Sequence, residues 1–311
     1  MKTAIIGLIA LAVSATAFAR EFKDATGRTI EAELVSVSGT EVTILRAGTE
    51  FTLPIAKFSE VDQEFIHKWA KSQTPSSKPA AACPKPGETL KFDFPELIKD
   101  FKGEPASFSV KIPTSYDPGK PIGLMVFLGG GNGSSSPGGA TGLTNDDFVC
   151  AGLPYPDDGR NPAQDNMVGS FDEVWEYWQP MLAKLNEAVP NIDPNLRVIG
   201  GFSNGAHAID GVLAEKEFAN AFTAFILIDG GGVLGGNYRE VKDKHAYIAW
   251  GEKSPAANSS QDVVKRAKRG RMIVVENEME GVGHAFPASE KVLVKKWLYE
   301  TVVPAAGKTT E

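Results

Sequence analysis

The fold of this chain is indicated most clearly by the sequence Arg197-Val198-Ile199-Gly200-Gly201-Phe202-Ser203-Asn204-Gly205-Ala206. It connects a short apolar run to a helical pattern, and a glycine stands two residues before and two residues after Ser203. A Gly-x-Ser-x-Gly sequence between a strand and a helix is typical of a nucleophile elbow, a strained turn that presents the serine hydroxyl at the edge of a sheet. A glycine-rich turn with an N-capping serine is the alternative. The strand-to-helix context favours the elbow, so Ser203 is the candidate nucleophile.

Apolar runs and amphipathic stretches alternate on both sides of this turn. The predicted strands are 108–112, 124–128, 148–153, 198–202, 222–228, 246–250 and 272–275. The predicted helices are 171–189, 205–218, 260–269 and 289–301. Such alternation indicates a mostly parallel sheet with helices on both faces. We therefore predict an α/β domain over residues 88–304.

A glycine-rich loop, Gly129-Gly130-Gly131-Asn132-Gly133, follows one of the predicted strands. An acyl-transfer site needs backbone amides for the oxyanion, and a loop of this kind supplies one of them. Gly130 or Gly131, together with Asn204 after the nucleophile, are the candidate donors. A phosphate-binding loop is the competing interpretation, but no Gly-Lys-Ser/Thr sequence ends the loop, which argues against nucleotide binding.

These segments together carry a family resemblance. Residues from about 107 to 301 resemble the bacterial α/β-hydrolases grouped with feruloyl esterases, polyhydroxybutyrate depolymerases and dienelactone-hydrolase-like esterases. The likeness depends on residues 124–133, on 195–206 and on Gly283-His284-Ala285-Phe286. It implies an α/β-hydrolase fold and hydrolysis of a small-molecule or polysaccharide-linked ester, with no metal or organic cofactor. Two departures put activity in doubt: no histidine precedes the loop glycines, and Ser254 stands where many members carry aspartate.

The general base must be one of four histidines. His284 lies after the last predicted strand and before the final helix, where an α/β-hydrolase carries its base. His67 lies near the N-terminus, His245 opens a strand, and His207 lies one turn into the elbow helix, where a packed core histidine is the commoner explanation. We predict that His284 is the base.

The orienting acid is the third member of the predicted triad. Asp229 follows the predicted strand 222–228, one strand before the usual position, and preserves the chain order Ser, Asp, His. Glu252 and Asp262 are the alternatives, and Asp229 could equally bond to backbone at a strand end. Asp229 is the first candidate.

Residues 1–19 have the pattern of a signal peptide: a lysine at position 2, an apolar run and Ala17-Phe18-Ala19 before the cleavage point. A membrane anchor would need about 20 apolar residues, and Ser14 and Thr16 interrupt the run before that length. We predict a secreted or periplasmic protein with no membrane span.

Residues 20–71 form a small β module in which short alternating runs are separated by glycines. A helix capped by Ser59 closes it, with Val61, Phe65, Ile66 and Trp69 on one face. Residues 24–32, 42–44 and 51–54 resemble the Sla-type homology domain, a small SH3-like barrel. The resemblance implies binding or tethering, and the expected partner of the module is a protein or a cell surface.

The remaining segments are a Pro/Ser/Ala-rich linker over 72–87 and a disordered tail over 305–311. Two cysteines, Cys83 and Cys150, allow either a disulfide in an exported protein or one buried and one free thiol. They are too few for a cysteine zinc site, and we predict no metal. The segment 134–170 is long for a connection, so we expect it to shape the substrate pocket.

A formal net charge of −7, with basic residues scattered among acidic ones, argues against a nucleic-acid partner. Three functions remain open. The first is an exported serine hydrolase, a carboxylic-ester hydrolase. The second is a catalytically weak hydrolase scaffold that serves as a secreted binding or adhesion protein, because Ser254 replaces the usual acid. The third is a secreted serine peptidase of the same fold.

Overall fold

The computed structural model of the protein describes residues 20–24, 27–38, 40–46, 49–73, 83–157, 171–232 and 238–307. The predicted signal peptide and most of the predicted linker lie outside these residues. The chain divides into two compact units, Met1–Ala80 and Ala81–Glu311, with the boundary inside the predicted linker.

The first unit contains a four-stranded antiparallel sheet in the order β1-β2-β3-β4. Its strands are β1 Arg20–Lys23, β2 Thr29–Ser38, β3 Glu41–Arg46 and β4 Thr49–Pro54. A short 3₁₀ helix, Ile55–Lys57, leads to helix α1, Glu60–Gln73. This agrees with the predicted β module at the level of a small antiparallel sheet with a helix.

Helix α1 packs on this sheet through its middle turns. The Ser59 hydroxyl accepts the amide of Asp62 at 3.3 Å, as an N-cap does. Ile66 is fully buried in the core of the unit with Phe22 and Val42. Val61 was expected on the packed face, and this was wrong: the side chain is 74% exposed, because it lies in the first turn.

The second unit contains an eight-stranded sheet in the order β12-β11-β10-β9-β7-β8-β6-β5. Six strands, from β12 to β8 in that order, pair in parallel, and β6 and β5 add antiparallel edge pairs. The strands are β5 Thr89–Asp93, β6 Ser107–Lys111, β7 Ile122–Leu128, β8 Phe148–Ala151, β9 Ile192–Phe202, β10 Ala224–Ile228, β11 His245–Gly251 and β12 Ile273–Met279. The predicted α/β class with a mostly parallel sheet is confirmed.

Helices cover both faces of this sheet. They are α2 Gly138–Thr141, α3 Phe171–Ala188, α4 Asn204–Val212, α5 Lys216–Ala221, α6 Ala257–Arg269 and α7 Ala288–Trp297. A π-helical segment, Leu298–Val302, continues into α8, Val303–Gly307. Alternate residues of β7 show the two faces: Leu124 and Val126 join one core cluster, whereas Met125 and Phe127 join the other.

Three details differ from the sequence-based expectations. The helix predicted over 205–218 is two helices, α4 and α5, because Glu215 adopts an extended conformation between them, and no glycine or proline marks that break. Strand β5 has only a weak apolar pattern and was not predicted. Helix α8 includes residues 305–307, so the tail predicted as disordered from 305 is helical in its first three residues.

Both cysteines have free thiols. Cys83 is exposed, and Cys150 is buried on β8, where burial raises its pKa to about 12. This arrangement matches the alternative of one buried and one free thiol. Trp175 and Trp178 of α3 are buried in the core.

Candidate active site

Ser203 lies at the turn between β9 and α4, at the carboxyl end of the sheet. Its backbone angles are φ 55° and ψ −118°, a region that non-glycine residues rarely occupy. The amide of Ser203 donates to the carbonyl of Ile228 on the neighbouring strand at 2.9 Å. The turn is therefore strained, as the elbow interpretation predicts, and its bond to the neighbouring strand holds it in place.

Glycines allow the strand and helix to approach closely at this turn. A Cβ atom on Gly201 would lie 2.3 Å from the carbonyl carbon of Gly205, and one on Gly205 would lie 2.4 Å from the carbonyl oxygen of Leu128. A Cβ atom on Gly230 would lie 2.4 Å from the carbonyl oxygen of Ser203. No residue with a side chain fits at these three positions without a shift of backbone.

His284 and Asp229 complete a hydrogen-bonded chain that starts at Ser203. His284 Nε2 lies 2.8 Å from Ser203 Oγ, and His284 Nδ1 lies 3.0 Å from Asp229 Oδ2. The carboxylate of Asp229 is 0% exposed, whereas the imidazole is 38% exposed. A proton on Nδ1 that donates to the buried carboxylate leaves Nε2 as the acceptor for the serine hydroxyl.

Backbone amides hold the Asp229 carboxylate in place. Ala285 donates its amide to Oδ2 at 3.2 Å, and the amide of Gly251 lies 3.5 Å from Oδ1. Asp229 has φ 53°, a left-handed conformation that aspartate tolerates better than most residues. The alternative that Asp229 bonds to backbone at a strand end is also correct, because the carboxylate contacts both the imidazole of His284 and backbone amides.

The two alternative acids lie in other environments. Glu252 is exposed, and its Oε2 accepts the amide of Gly281 at 2.7 Å. Asp262 lies on α6 and bonds Lys265 at 2.8 Å, which lowers the pKa of its carboxyl. Neither has a recorded bond to His284 within the described residues.

Ser254 occupies the usual acid position beside the same imidazole. Its Oγ lies 3.4 Å from His284 Nδ1 and accepts the amide of Ala256 at 3.1 Å. The side chain is buried. Ser254 thus contacts Nδ1 at a longer distance than Asp229 does.

The predicted oxyanion loop lies against the elbow. A Cβ atom on Gly130 would lie 3.1 Å from Ser203 Cβ, and Asn204 Nδ2 donates to the carbonyl of Gly131 at 3.0 Å. Gly131 has φ 56°, and the amide of Gly133 closes the turn on the carbonyl of Gly130. Within the described residues the amides of Gly130 and Gly131 have no recorded acceptor, so they are free to bind an oxyanion.

A cavity of about 480 Å³ opens at Ser203 and His284. Its other walls come from α4, from the turn after β10 and from the start of α6. Polar uncharged side chains line it, and no lysine, arginine or carboxylate lines it within the part of the chain that the structure describes. The other lining residues are Asn204, His207, Gly231, Gly232, Pro255, Ala256 and Ser259.

A second cavity of about 310 Å³ lies beside the oxyanion loop, and three phenylalanines form part of its wall. The rings of Phe127 and Phe286 stack with centroids 5.9 Å apart, and the Phe202 ring lies 5.1 Å from that of His284. Lys291 Nζ lies 5.4 Å from the Phe286 ring. Ser134 and Ser136 also line this cavity, so the start of the segment 134–170 shapes a pocket as expected, while residues 158–170 lie outside the described part.

The other histidines have different surroundings. His207 lies on α4 beside the first cavity, and burial is the main cause that lowers its pKa. His245 at the start of β11 also has a pKa lowered by burial. His67 lies on α1 of the first unit. Sequence reasoning missed the three phenylalanines of the second cavity and the place of His207 beside Ser203, although its spacing of four residues on a helix was a usable indication.

The described residues contain no group of three or more histidine, cysteine, aspartate or glutamate side chains able to hold a metal ion. No helix among them is both long and apolar enough to cross a membrane.

No protein-family model and no curated protein matches the chain. Solved structures do match. A structure reported for two fungal esterases from Rhizomucor miehei has a TM-score of 0.52 at 14% identity, covering 78% of this chain and 91% of that one. A thermostable esterase has a TM-score of 0.51 at 18% identity, covering 71% of this chain and 62% of its own.

A third match widens the range of named activities. A Bacteroides ovatus protein provisionally described as a dipeptidyl aminopeptidase IV has a TM-score of 0.51 at 12% identity, covering 90% of this chain and 42% of that one. At these identities the likeness shows the fold alone. The second unit has the α/β-hydrolase fold that the sequence predicts.

Proposed function

We propose that this protein is a serine hydrolase that cleaves carboxylic esters, with Ser203 as nucleophile, His284 as general base and Asp229 as orienting acid. One observation carries the proposal: the chain Ser203 Oγ to His284 Nε2 at 2.8 Å and His284 Nδ1 to Asp229 Oδ2 at 3.0 Å. Both distances fall within the range expected of a nucleophile, its base and the group that orients the base.

The geometry supports a two-step mechanism. His284 Nε2 takes the proton of Ser203 Oγ as the oxygen attacks the ester carbonyl, and the Asp229 carboxylate stabilises the imidazolium that forms. The amides of Asn204 and of Gly130 or Gly131 bind the oxyanion. His284 then gives its proton to the leaving alcohol oxygen, which forms the acyl-enzyme. Water, activated by the same imidazole, hydrolyses that intermediate and restores Ser203. No cofactor takes part in these steps.

The position of Asp229 bears on the proposed alternative of a catalytically weak scaffold. That alternative depended on serine at position 254. Because the Asp229 carboxylate lies 3.0 Å from His284 Nδ1, the loss of the usual aspartate does not leave the base without an acid. The observation favours a competent hydrolase over a binding protein built on an inactive one.

The preference for esters over peptides draws on the solved structures of the same fold, two of which are named as esterases. A peptidase is named among the matches too, so substrate class is a matter for measurement. The first cavity has no carboxylate within the described residues that would bind the free amino group of a peptide.

The test is a panel of p-nitrophenyl esters and dipeptidyl p-nitroanilides with the full chain and with Ser203→Ala. We expect turnover of short-chain esters, weak or no turnover of anilides, and a drop in ester kcat of several orders of magnitude in Ser203→Ala, in which the oxyanion donors leave a small residual rate. An ester kcat in Ser203→Ala within about tenfold of the wild-type value would contradict the proposal. Faster turnover of the anilides than of the esters would reassign the protein as a peptidase.

We also propose that the protein is exported, on the pattern of residues 1–19, and that the first unit is a Sla-type SH3-like module that binds or tethers. The four-stranded sheet with its packed helix α1 is compatible with such a module. Exported and processed protein would have an N-terminus at Arg20, which sequencing of the mature N-terminus would test.

A further inference from the structure

His207 stands next to the nucleophile but has no role in the mechanism above. It lies one helical turn after Ser203, and its amide donates to the carbonyl of Ser203 at 3.1 Å. Its side chain forms part of the wall of the first cavity, together with Ser203 and His284. A substrate held at Ser203 would therefore meet this imidazole.

A single hydrogen bond fixes which nitrogen of His207 carries the proton. The amide of Gly231 donates to His207 Nδ1 at 2.8 Å. Nδ1 must be unprotonated to accept, so a neutral ring carries its proton on Nε2. Within the described residues Nε2 has no recorded acceptor. The ring thus offers one free donor beside the cavity.

The surroundings keep this ring neutral. Burial is the main cause that lowers the pKa of His207, and the neighbouring His284 lowers it further. The charges of Asp210 and Asp229 act in the opposite direction, and the lowering prevails. At neutral pH, His207 is accordingly a hydrogen-bond donor without charge.

Ser259 supplies the opposite kind of group in the same cavity. Its hydroxyl donates to the carbonyl of Ala256 at 2.8 Å, so the proton is engaged and the oxygen lone pairs remain to accept. The turn after β10 connects the two side chains: Gly231 bonds His207, and a Cβ atom on the next residue, Gly232, would lie 2.7 Å from Ser259 Cβ. A donor and an acceptor therefore flank one short turn.

We propose that His207 and Ser259 bind a hydroxyl group of the substrate, His207 Nε2–H as donor and Ser259 Oγ as acceptor, so that the protein prefers esters that carry a hydroxyl near the scissile bond. A hydroxyl group both accepts and donates, which matches this pair, whereas a methyl group satisfies neither and a carboxylate cannot donate to Ser259. The proposal rests on ester hydrolysis at Ser203, and it assigns the two residues to specificity, outside the triad.

The test compares substrates that differ only by a hydroxyl in place of a methyl group. 2-Hydroxyethyl and propyl butyrate form the pair on the alcohol side, and hydroxyacetyl and propionyl esters of one alcohol form the pair on the acyl side. The variants are His207→Phe, which removes the donor, His207→Gln, which keeps an N–H donor, and Ser259→Ala, which removes the acceptor. Fluorophosphonate labelling of each full-length variant reports Ser203 reactivity without a hydroxyl-bearing ligand.

We expect wild-type kcat/KM to favour the hydroxylated member of at least one pair by about tenfold, the value of one neutral hydrogen bond. His207→Phe and Ser259→Ala should reduce that ratio to near one, mainly through KM, while His207→Gln keeps most of it. Labelling rates should stay within about twofold in all variants. A purely structural role of either residue would instead change the labelling rate and the kcat/KM of both members of a pair together.

Failure of this inference and failure of the proposed function give different results. Labelled wild-type protein that shows no hydroxyl preference in either pair, or a preference that His207→Phe and Ser259→Ala leave intact, overturns the inference and leaves the serine hydrolase standing. His207→Gln separates loss of the donor from misfolding if His207→Phe is insoluble. Wild-type protein that takes no label overturns both.

Discussion

Ser203 and Asp229 both adopt left-handed backbone conformations at the ends of neighbouring parallel strands, with φ of 55° and 53°. The two turns are joined directly, because the amide of Ser203 donates to the carbonyl of Ile228, the residue before Asp229. Strained conformations at two such positions are typical of functional sites and are retained where the surrounding structure enforces them. Asp146, Asp243 and Arg271 also have positive φ, so at the scale of single residues the bond between the two turns, and not the conformation alone, marks the proposed nucleophile and acid.

The assignment of Asp229 predicts a large effect from a nearly isosteric change. Asp229→Asn removes the negative charge that stabilises the His284 imidazolium, and it presents an amide that favours the wrong imidazole tautomer. We expect kcat for ester hydrolysis to fall by about three to four orders of magnitude with little change in KM.

Glu252→Gln is the matched control. Its side chain is exposed and keeps an oxygen to accept the Gly281 amide, so activity should stay within about twofold. Full turnover in Asp229→Asn, or a comparable loss in Glu252→Gln, would remove Asp229 from the proposed triad.

Two half-buried histidines predict how stability depends on pH. Burial lowers the pKa of His207 and His245 in the folded protein below the ordinary value of 6.5. Between the lowered pKa and 6.5 the unfolded chain binds more protons, so the free energy of unfolding should decrease as pH falls through that range and remain at its full value above it.

Urea denaturation at several pH values between 5 and 8 measures this dependence. His245→Gln removes one of the two titrating groups and leaves the catalytic site intact, so its stability should fall less steeply toward acid than that of the wild type. Parallel curves for the two proteins would show that His245 is not the cause.

The sequence predicts the site residues that local features identify, and it does not predict those whose positions depend on how the strands pair. Chain order and the strand-to-helix context are local features, and they sufficed for Ser203 and His284. Asp229, Glu252 and Asp262 are all carboxylates between the nucleophile and the base in chain order, and they have the same chemistry. Ile228 pairs with Phe202 and with Ala249 on the adjacent strands, and this pairing brings Asp229 beside the nucleophile and the base. The bond between His207 and Gly231 depends on the same pairing.

At the scale of elements, the contact between β9, α4 and β7 sets the position of the nucleophile. Gly201 and Gly205 allow the helix to begin directly above the strand, where any Cβ atom would overlap backbone. The sequence predicts this close approach from its spacing of glycines, and it predicts most strands from their apolar runs. The separation of α4 from α5 was not predictable, because no residue in 213–215 disrupts a helix by itself.

Gly201→Ala tests this contact. The new Cβ atom would lie 2.3 Å from the carbonyl carbon of Gly205, so the elbow must shift, and we expect a loss of about 1–3 kcal/mol in unfolding free energy together with most of the activity. Gly142→Ala is the control, since its Cβ atom would have only ordinary contact at 3.5 Å. Thermal unfolding and ester assays measure both effects, and an active, stable Gly201→Ala protein would contradict the structural role of the turn.

At the scale of the whole molecule, each of the two units has its own hydrophobic core. Every residue of the proposed triad, the oxyanion loop and both cavities beside Ser203 belongs to the unit Ala81–Glu311. The catalytic chemistry should therefore be separable from the first unit.

A chain that begins at Ala81 tests this separation. We expect it to fold and to hydrolyse small soluble esters with kcat/KM within about twofold of the full chain, because no catalytic group is lost. Circular dichroism and the p-nitrophenyl ester assay provide the measurements. A folded fragment with activity reduced by tenfold or more would show that the first unit contributes to catalysis on small substrates.

Covalent labelling tests whether Ser203 is a nucleophile activated by His284. The full chain is treated with a fluorophosphonate, and the modified peptide is identified by mass spectrometry in parallel with Ser203→Ala. We expect a single stoichiometric adduct on Ser203 in the wild type and none in the variant. An unlabelled wild-type protein, or an adduct that remains in Ser203→Ala, would contradict it.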